Sequence, residues 1–189
     1  SGLLVWNLFS FIVVNGSLGI QDSAMMIRHI AFPRILIPVS KILTGLVDFG
    51  IGLAFYIVLM LIYASVPGWK IIFLPFICLG VCLTALGFVF WISSFAFKYR
   101  DILHALPFFL FAGIWVTPVF ITPDILPRSV SLIFYLNPVS GWIEVCRFCL
   151  FNTWHFDLLY LPSMLIALLF MFLGLIIFIR RESFFSDYV

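Results

Sequence analysis

The feature that most constrains this chain is a set of long apolar runs almost free of charge. Residues 71–97 and 158–179 contain no Asp, Glu, Lys or Arg, and residues 43–63 contain only Asp48. A helix crossing a hydrocarbon core of roughly 30 Å needs about 20 apolar residues, so each run is long enough to span. In lipid every backbone amide must be satisfied within the spanning structure, which a helix achieves by itself. The rest of the chain supplies too little polar surface for a soluble fold. Charged residues make up 10% of it, against roughly 25% in a soluble domain, while 65% is apolar and 24 residues are Phe. A soluble globular domain and a disordered chain are both excluded. The fold class is an all-α integral membrane protein. The basic residues are dispersed and give no sign of nucleic acid. Four Cys in so apolar a chain read as small hydrophobes, not as a disulfide framework.

Spans are expected at 36–63, 71–97, 102–121 and 158–179. Residues 3–14 are apolar apart from Asn7 and Ser10. They are too short to cross alone and lack the charged leader and cleavage site of a signal peptide. They read as the tail of a truncated span, ending near residue 19, whose beginning lies before residue 1. Five span segments result. Orientation follows from Lys and Arg. Residues 15–42, the turn at 98–101 and the tail at 180–189 together carry Arg28, Arg34, Lys41, Lys98, Arg100, Arg180 and Arg181. The opposite side carries Lys70, Arg128 and Arg147. Seven against three makes the first side cytoplasmic.

Two segments are neither spans nor plain loops. Residues 20–33 open with Gln21, Asp22 and Ser23 and close with Arg28 and His29 before Pro33. Acid at the start and base at the end suit a helix dipole, and Pro33 is a stop. A helix of about 12 residues is roughly 18 Å long, too short to cross, and would lie along the cytoplasmic surface. The second segment, 122–157, holds Pro123, Pro127 and Pro138, then an apolar run broken by Glu144 and Arg147. Asn137 can cap a helix that has Pro138 at its first position. Glu144 and Arg147, three residues apart, can pair on one face. A full crossing here would spoil the basic bias, so the segment is expected to form short helices dipping into the external leaflet. Backbone at that depth must be shielded by protein or line a cavity, which suits a gate.

Signs of enzyme chemistry are missing from the sequence. There is no Gly-rich phosphate loop followed by Lys and Ser or Thr. His29, His104 and His155 fall on different connections and match no metal motif. Cys146 and Cys149 have redox spacing without the βαβ context it needs, and Cys78 and Cys82 stack one turn apart as packing residues. Neither a catalytic residue nor a metal ligand is expected. Asp48 is the intramembrane acid, one to two turns in from the cytoplasmic end of its charge-free run. It suits either a shallow pair with Lys41 or a transport role. Gly45, Gly50, Gly52 and Ala54 suit close helix packing. Phe108, Phe109, Phe111, Trp115 and Phe120 crowd the fourth complete span and its exit. They could face lipid or form a conduit wall on which the apolar faces of sugar rings stack.

Several short stretches resemble one family. Phe32-Pro33-Arg34 with Ile37-Pro38 is similar to the end of the coupling segment in polysaccharide-exporting ATP-binding-cassette (ABC) permeases, those of O-antigen, capsule and teichoic acid. Leu46-Val47-Asp48-Phe49 and Ala85-Leu86-Gly87 resemble their next two spans, and Tyr99-Arg100-Asp101-Ile102 their cytoplasmic turn. Thr117-Pro118-Val119-Phe120 resembles a span exit, with Thr where Ser is common. Asn137-Pro138-Val139 with Glu144 and Arg147 resembles the external re-entrant segment, and Arg181-Glu182, Phe185 and Asp187 the tail. The stretches occur in this order over nearly the whole chain.

The resemblance implies a six-span permease of the bacterial cytoplasmic membrane, here without its N-terminal amphipathic helix and first span. Two copies would form the path through the membrane lipid. Two separate nucleotide-binding ATPase subunits would bind ATP and Mg, leaving this chain without a cofactor. Met25, Ile27, Arg28, His29, Phe32, Pro33 and Arg34 would then couple to the ATPase. Tyr99, Arg100 and Asp101 would form the cytoplasmic turn, and Asn137, Pro138, Glu144 and Arg147 the external gate. The cargo would be a lipid-linked polysaccharide. A drug or small-lipid permease is the alternative within the family. A membrane-embedded lipid or sugar transferase would place acidic or His clusters at one interface, and a passive channel needs no motor contact.

Overall fold

The computed structural model describes residues 1–22, 35–63, 68–96, 99, 101–121, 128–151 and 156–182. Among the described residues there are seven α-helices: α1 (Gly2–Asp22), α2 (Leu36–Ile62), α3 (Leu74–Ala96), α4 (Asp101–Gly113), α5 (Arg128–Leu136), α6 (Ser140–Leu150) and α7 (Leu161–Glu182). Short 3-10 turns lead into α3 and α7 and extend α4. Gly2–Gln21, Leu36–Ile62, Trp69–Ala96 and Leu158–Arg181 are long and apolar enough to cross a membrane; Asp101–Val116 is a shorter apolar helix. The protein is multi-pass.

The first helix corrects the sequence reading. Residues 3–14 are not a short remnant: α1 has 21 residues and is about 32 Å long, enough to cross by itself. The polar stretch Asn15-Gly16-Ser17 continues it, because Asn15 Nδ2 donates back to the Phe11 carbonyl at 2.9 Å. Gly16 adds close packing, since a Cβ there would meet Val89 Cγ2 at 2.9 Å. Residues 20–22, expected to begin the cytoplasmic surface helix, also belong to α1.

Over half of α1 is buried, against 17% of α2, so α1 is a central helix and α2 a peripheral one. The long axis of the core is α3, which packs against α1 on one side and α7 on the other. Its crossing with α7 is very close. A Cβ on Gly87 would lie 2.8 Å from Met171 Cα, and one on Gly174 would lie 2.7 Å from the Gly87 carbonyl oxygen. Trp91 Nε1 donates across this crossing to the Phe170 carbonyl at 3.1 Å. Of the small residues predicted to pack α2, Gly45 and Gly52 face α1 side chains. A Cβ on Gly50 would meet nothing within 4 Å, and Ala54 is exposed.

Asp48 lies deeper than its charge-free run suggested, about 18 Å from the start of α2, because α2 begins at Leu36. It is exposed, and among the described residues no ion pair joins it to Lys41. The helix expected over 102–121 ends early, at the 3-10 turn Ile114–Val116. In the segment 122–157, α5 and α6 form the expected pair of short helices. At 11 residues, α6 is about 16 Å long, too short to cross, and Ser140, Gly141, Trp142, Ile143 and Glu144 are all buried.

Candidate functional site

The site begins where α4 stops. Pro118 has no N–H and disfavours a helical conformation at the residue before it, and Thr117 is extended (φ −115°, ψ 142°). The break leaves the last carbonyls without partners inside the helix. Side chains supply them. Thr117 Oγ1 donates to the Gly113 carbonyl at 2.8 Å. Asn137 Nδ2 donates to the Val116 carbonyl at 3.2 Å and to Thr117 Oγ1 at 3.0 Å. Arg147 Nη2 donates to the carbonyls of Pro118 and Val119, the latter at 3.0 Å. Arg147 Nη1 lies 3.5 Å from Glu144 Oε2, in a pair where the two residues are 7% and 4% exposed.

The turn that aims these donors is itself fixed. Asn137 Oδ1 accepts from the Val139 N–H at 3.0 Å, and the Ser140 N–H reaches the Asn137 carbonyl at 3.1 Å. The predicted cap is therefore displaced: Val139 sits at the helix entrance, and Asn137 closes the turn before it while its amide serves α4. Ser163 Oγ accepts from the Gly141 N–H at 2.9 Å and donates to the Asn137 carbonyl. On α6, the Trp142 ring lies on Gly80, where a Cβ would come within 2.2 Å of it, and Trp142 Nε1 donates to Thr84 Oγ1 at 2.9 Å.

Beside the break an open groove of about 710 Å³ runs between α1 and α4, within the range of small-ligand sites. Its α1 side presents Asn7, Ser10 and Asn15, together with Trp6 and Phe11. Its other side presents Phe111 and Trp115 from α4 and Phe120 from just beyond the break. The rings of Trp115 and Phe120 are 5.8 Å apart across that break.

The predicted site residues are thus distributed unevenly. Asn137, Glu144 and Arg147 converge on Thr117-Pro118-Val119, bringing together two stretches that the sequence offered as separate. Phe111, Trp115 and Phe120 line the groove, whereas Phe108 and Phe109 are exposed outside it. Tyr99 links α3 to α4, its N–H bonding the Phe95 carbonyl at 3.0 Å, and Asp101 lies in the first turn of α4. Met25, Ile27, Arg28, His29, Phe32, Pro33, Arg34 and Arg100 lie outside the described residues. Among the described residues no group of three or more His, Cys, Asp or Glu is placed to hold a metal ion. Sequence reasoning missed Ser163 and Thr84, which carry no spacing signal. It saw Asn7 and Ser10 only as interruptions, although Asn7, Ser10 and Asn15 fall on one broad helical face.

A bundle of apolar helices, opened by a groove with polar and aromatic walls, is the membrane-embedded part of a transporter. Residues 1–151 match the ABC-2 type transporter membrane family, and the chain belongs to that family. It is similar to the O-antigen export system permease protein RfbA of Myxococcus xanthus, at 27% identity over 140 residues. That match covers 73% of this chain and 54% of the relative, so the chain spans about half of that protein's length. Two proteins of the same description from Klebsiella pneumoniae are 22% and 21% identical over 192 residues, 99% of this chain and 73% of each relative. A multi-pass protein of the bacterial cytoplasmic membrane fits these relatives.

Proposed function

We propose that this chain is the membrane subunit of an ATP-driven exporter of a lipid-linked cell-surface polysaccharide, such as O-antigen, capsule or teichoic acid. The observation that carries the reading is the groove. Phe111, Trp115 and Phe120 offer ring faces for the apolar faces of sugars, and Asn7, Ser10 and Asn15 offer hydrogen bonds opposite them. The relatives' description as O-antigen export permeases supports the same cargo class.

In this reading two copies of the permease enclose the path. Two separate nucleotide-binding subunits bind ATP and Mg beneath them, and this chain performs no catalysis. Because α1 runs to Asp22, the contact with the motor falls to residues 23–34, which hold Met25, Ile27, Arg28, His29, Phe32, Pro33 and Arg34. The α5–α6 hairpin, fastened to the end of α4 through Asn137 and Arg147, serves as the external gate. Pro138 keeps its turn out of helical geometry.

The test uses the full-length protein with its ATPase partner, in a host lacking its own permease. The parent chain is expected to restore surface polysaccharide. Arg28→Glu or Met25→Asp is expected to leave membrane insertion intact while uncoupling ATP hydrolysis from export. Unchanged export in both variants removes the coupling role, and a parent chain that restores no polymer removes the cargo assignment.

A further inference from the structure

An asparagine side chain is costly in a helix that crosses a membrane unless its amide finds hydrogen-bonding partners. Three polar side chains of α1 face the groove, and their own bonding differs in a way that matters. Ser10 Oγ donates to the Asn7 carbonyl at 3.2 Å, and Asn15 Nδ2 donates to the Phe11 carbonyl at 2.9 Å. Each is tied back to its own helix and keeps acceptor oxygen free on the groove side. Asn7 is different. It is exposed, and among the described residues its amide makes no hydrogen bond.

Asn7 is about 8 Å from the Gly2 end of α1, and Asn15 about 12 Å further along. The three side chains therefore form a row running lengthwise through the groove. An acyl chain cannot satisfy an amide, so a purely lipidic occupant is disfavoured at Asn7. A simple aqueous pore does not account for the other wall, where exposed aromatic rings stand without polar neighbours. An occupant with hydroxyls on its edges and apolar faces fits both walls, and a chain of pyranose rings has that chemistry.

We infer that Asn7, with Ser10 and Asn15, forms a hydrogen-bonding rail for the hydroxyls of the transported glycan, opposite the ring faces of Phe111, Trp115 and Phe120. This rests on the polysaccharide-export reading above and adds to it the residues that hold the sugar edge. On the rail Asn7 supplies both N–H donors and a carbonyl, while Ser10 and Asn15 supply mainly acceptors. Each contact is a single neutral hydrogen bond, weak enough to exchange as the polymer advances.

The test uses the full-length permease with its ATPase partner, in a host whose own permease is deleted and whose own polymer is the probe. Asn7→Leu keeps the volume and removes the amide. It is expected to lower the export rate about fivefold at unchanged protein level, the loss of one hydrogen bond, and Asn7→Gln to recover at least half of it. In parallel, Asn7→Cys is treated with a charged methanethiosulfonate reagent in the presence of an ATPase partner that binds but does not hydrolyse ATP. Labelling above the parent background is expected when polymer synthesis is blocked, with protection when polymer is made. Wild-type export by Asn7→Leu overturns the rail, as does labelling that is equal with and without polymer. A disulfide between two Asn7→Cys chains overturns it as well, because a second copy then fills the groove. If the parent chain restores no polymer, the export reading has failed and the rail falls with it. If the parent restores export and Asn7→Leu matches it, only the rail has failed.

Discussion

Arg147→Met is the most informative perturbation of the break in α4. The substitution keeps an unbranched chain in the pocket and removes the guanidinium. Three contacts are lost: the pair with Glu144 at 3.5 Å and the hydrogen bonds to the carbonyls of Pro118 and Val119. Removing one partner from a buried ion pair costs about 3–5 kcal/mol, and carbonyls that lose a donor add to it. At roughly 2–4 °C per kcal/mol for a chain of this size, the midpoint of thermal unfolding should fall by about 6–20 °C. The assay is thermal unfolding of the purified permease in detergent, read by intrinsic fluorescence and by loss of the monodisperse peak. Arg147→Lys should fall between parent and Met, because one compact ammonium cannot reproduce the planar fork that meets two carbonyls and a carboxylate. The double variant Glu144→Leu with Arg147→Met should recover part of the loss, since no charge then remains buried. A shift below about 2 °C for Arg147→Met would refute the argument, because the carbonyls of Pro118 and Val119 would then have other donors.

The close helix crossing gives a second expectation. Gly174→Val should abolish accumulation of folded protein, because its Cβ would meet the Gly87 carbonyl at 2.7 Å, whereas Gly50→Ala should be neutral or gain about 0.5–1 kcal/mol; size-exclusion yield and melting point check both. Trp142→Phe and Thr84→Val should each cost about 1 kcal/mol through their shared 2.9 Å bond, and the double variant little more than either alone; additive losses would show that the bond carries nothing. If the α5–α6 hairpin gates the path, Glu144→Gln should change either resting leak or export rate, and no change in either removes that role. Cysteine labelling at position 129 from outside and position 186 from the cytoplasm checks the orientation, and the reverse pattern inverts it.

The apolar runs made most of the spans legible, because charge-free stretches of helical length have one solution in lipid. The end of α1 was not legible, for a local reason. Asn15, Gly16 and Ser17 look like a loop, yet an asparagine that bonds its own fourth preceding carbonyl and a glycine under Val89 both continue a helix. The premature end of α4 was signalled by Pro118, but the apolar Val119-Phe120-Ile121 that follows concealed it. The pair Glu144–Arg147 could be seen from its three-residue spacing. Its attachment to Pro118 and Val119 could not, since no periodicity links residues 28 or 29 positions apart. The groove was half legible: aromatic density pointed to α4, but only the fold separates Phe111, Trp115 and Phe120 from Phe108 and Phe109.

The clasp and the groove meet at one short stretch of chain. Val119, whose carbonyl accepts from Arg147, is buried, and the next residue, Phe120, is exposed in the groove wall beside Trp115. Trp115 belongs to the last turn before the break, and Phe120 to the strand-like exit after it. The aromatic pair therefore straddles the point at which α4 loses its own hydrogen bonds and depends on Asn137 and Arg147 for them. A continuous helix would carry both rings as a rigid unit, indifferent to α6. The break makes the position of Phe120 depend on donors from the hairpin, so displacement of α6 and displacement of the groove wall are mechanically linked. That coupling requires polar side chains inside an otherwise apolar bundle, at the cost of desolvating Glu144 and Arg147. Packing alone would be satisfied by aliphatic residues at both positions. What aliphatic residues cannot do is supply donors to the carbonyls of Val116, Pro118 and Val119, and this need accounts for an amide and a guanidinium where the rest of the core has none.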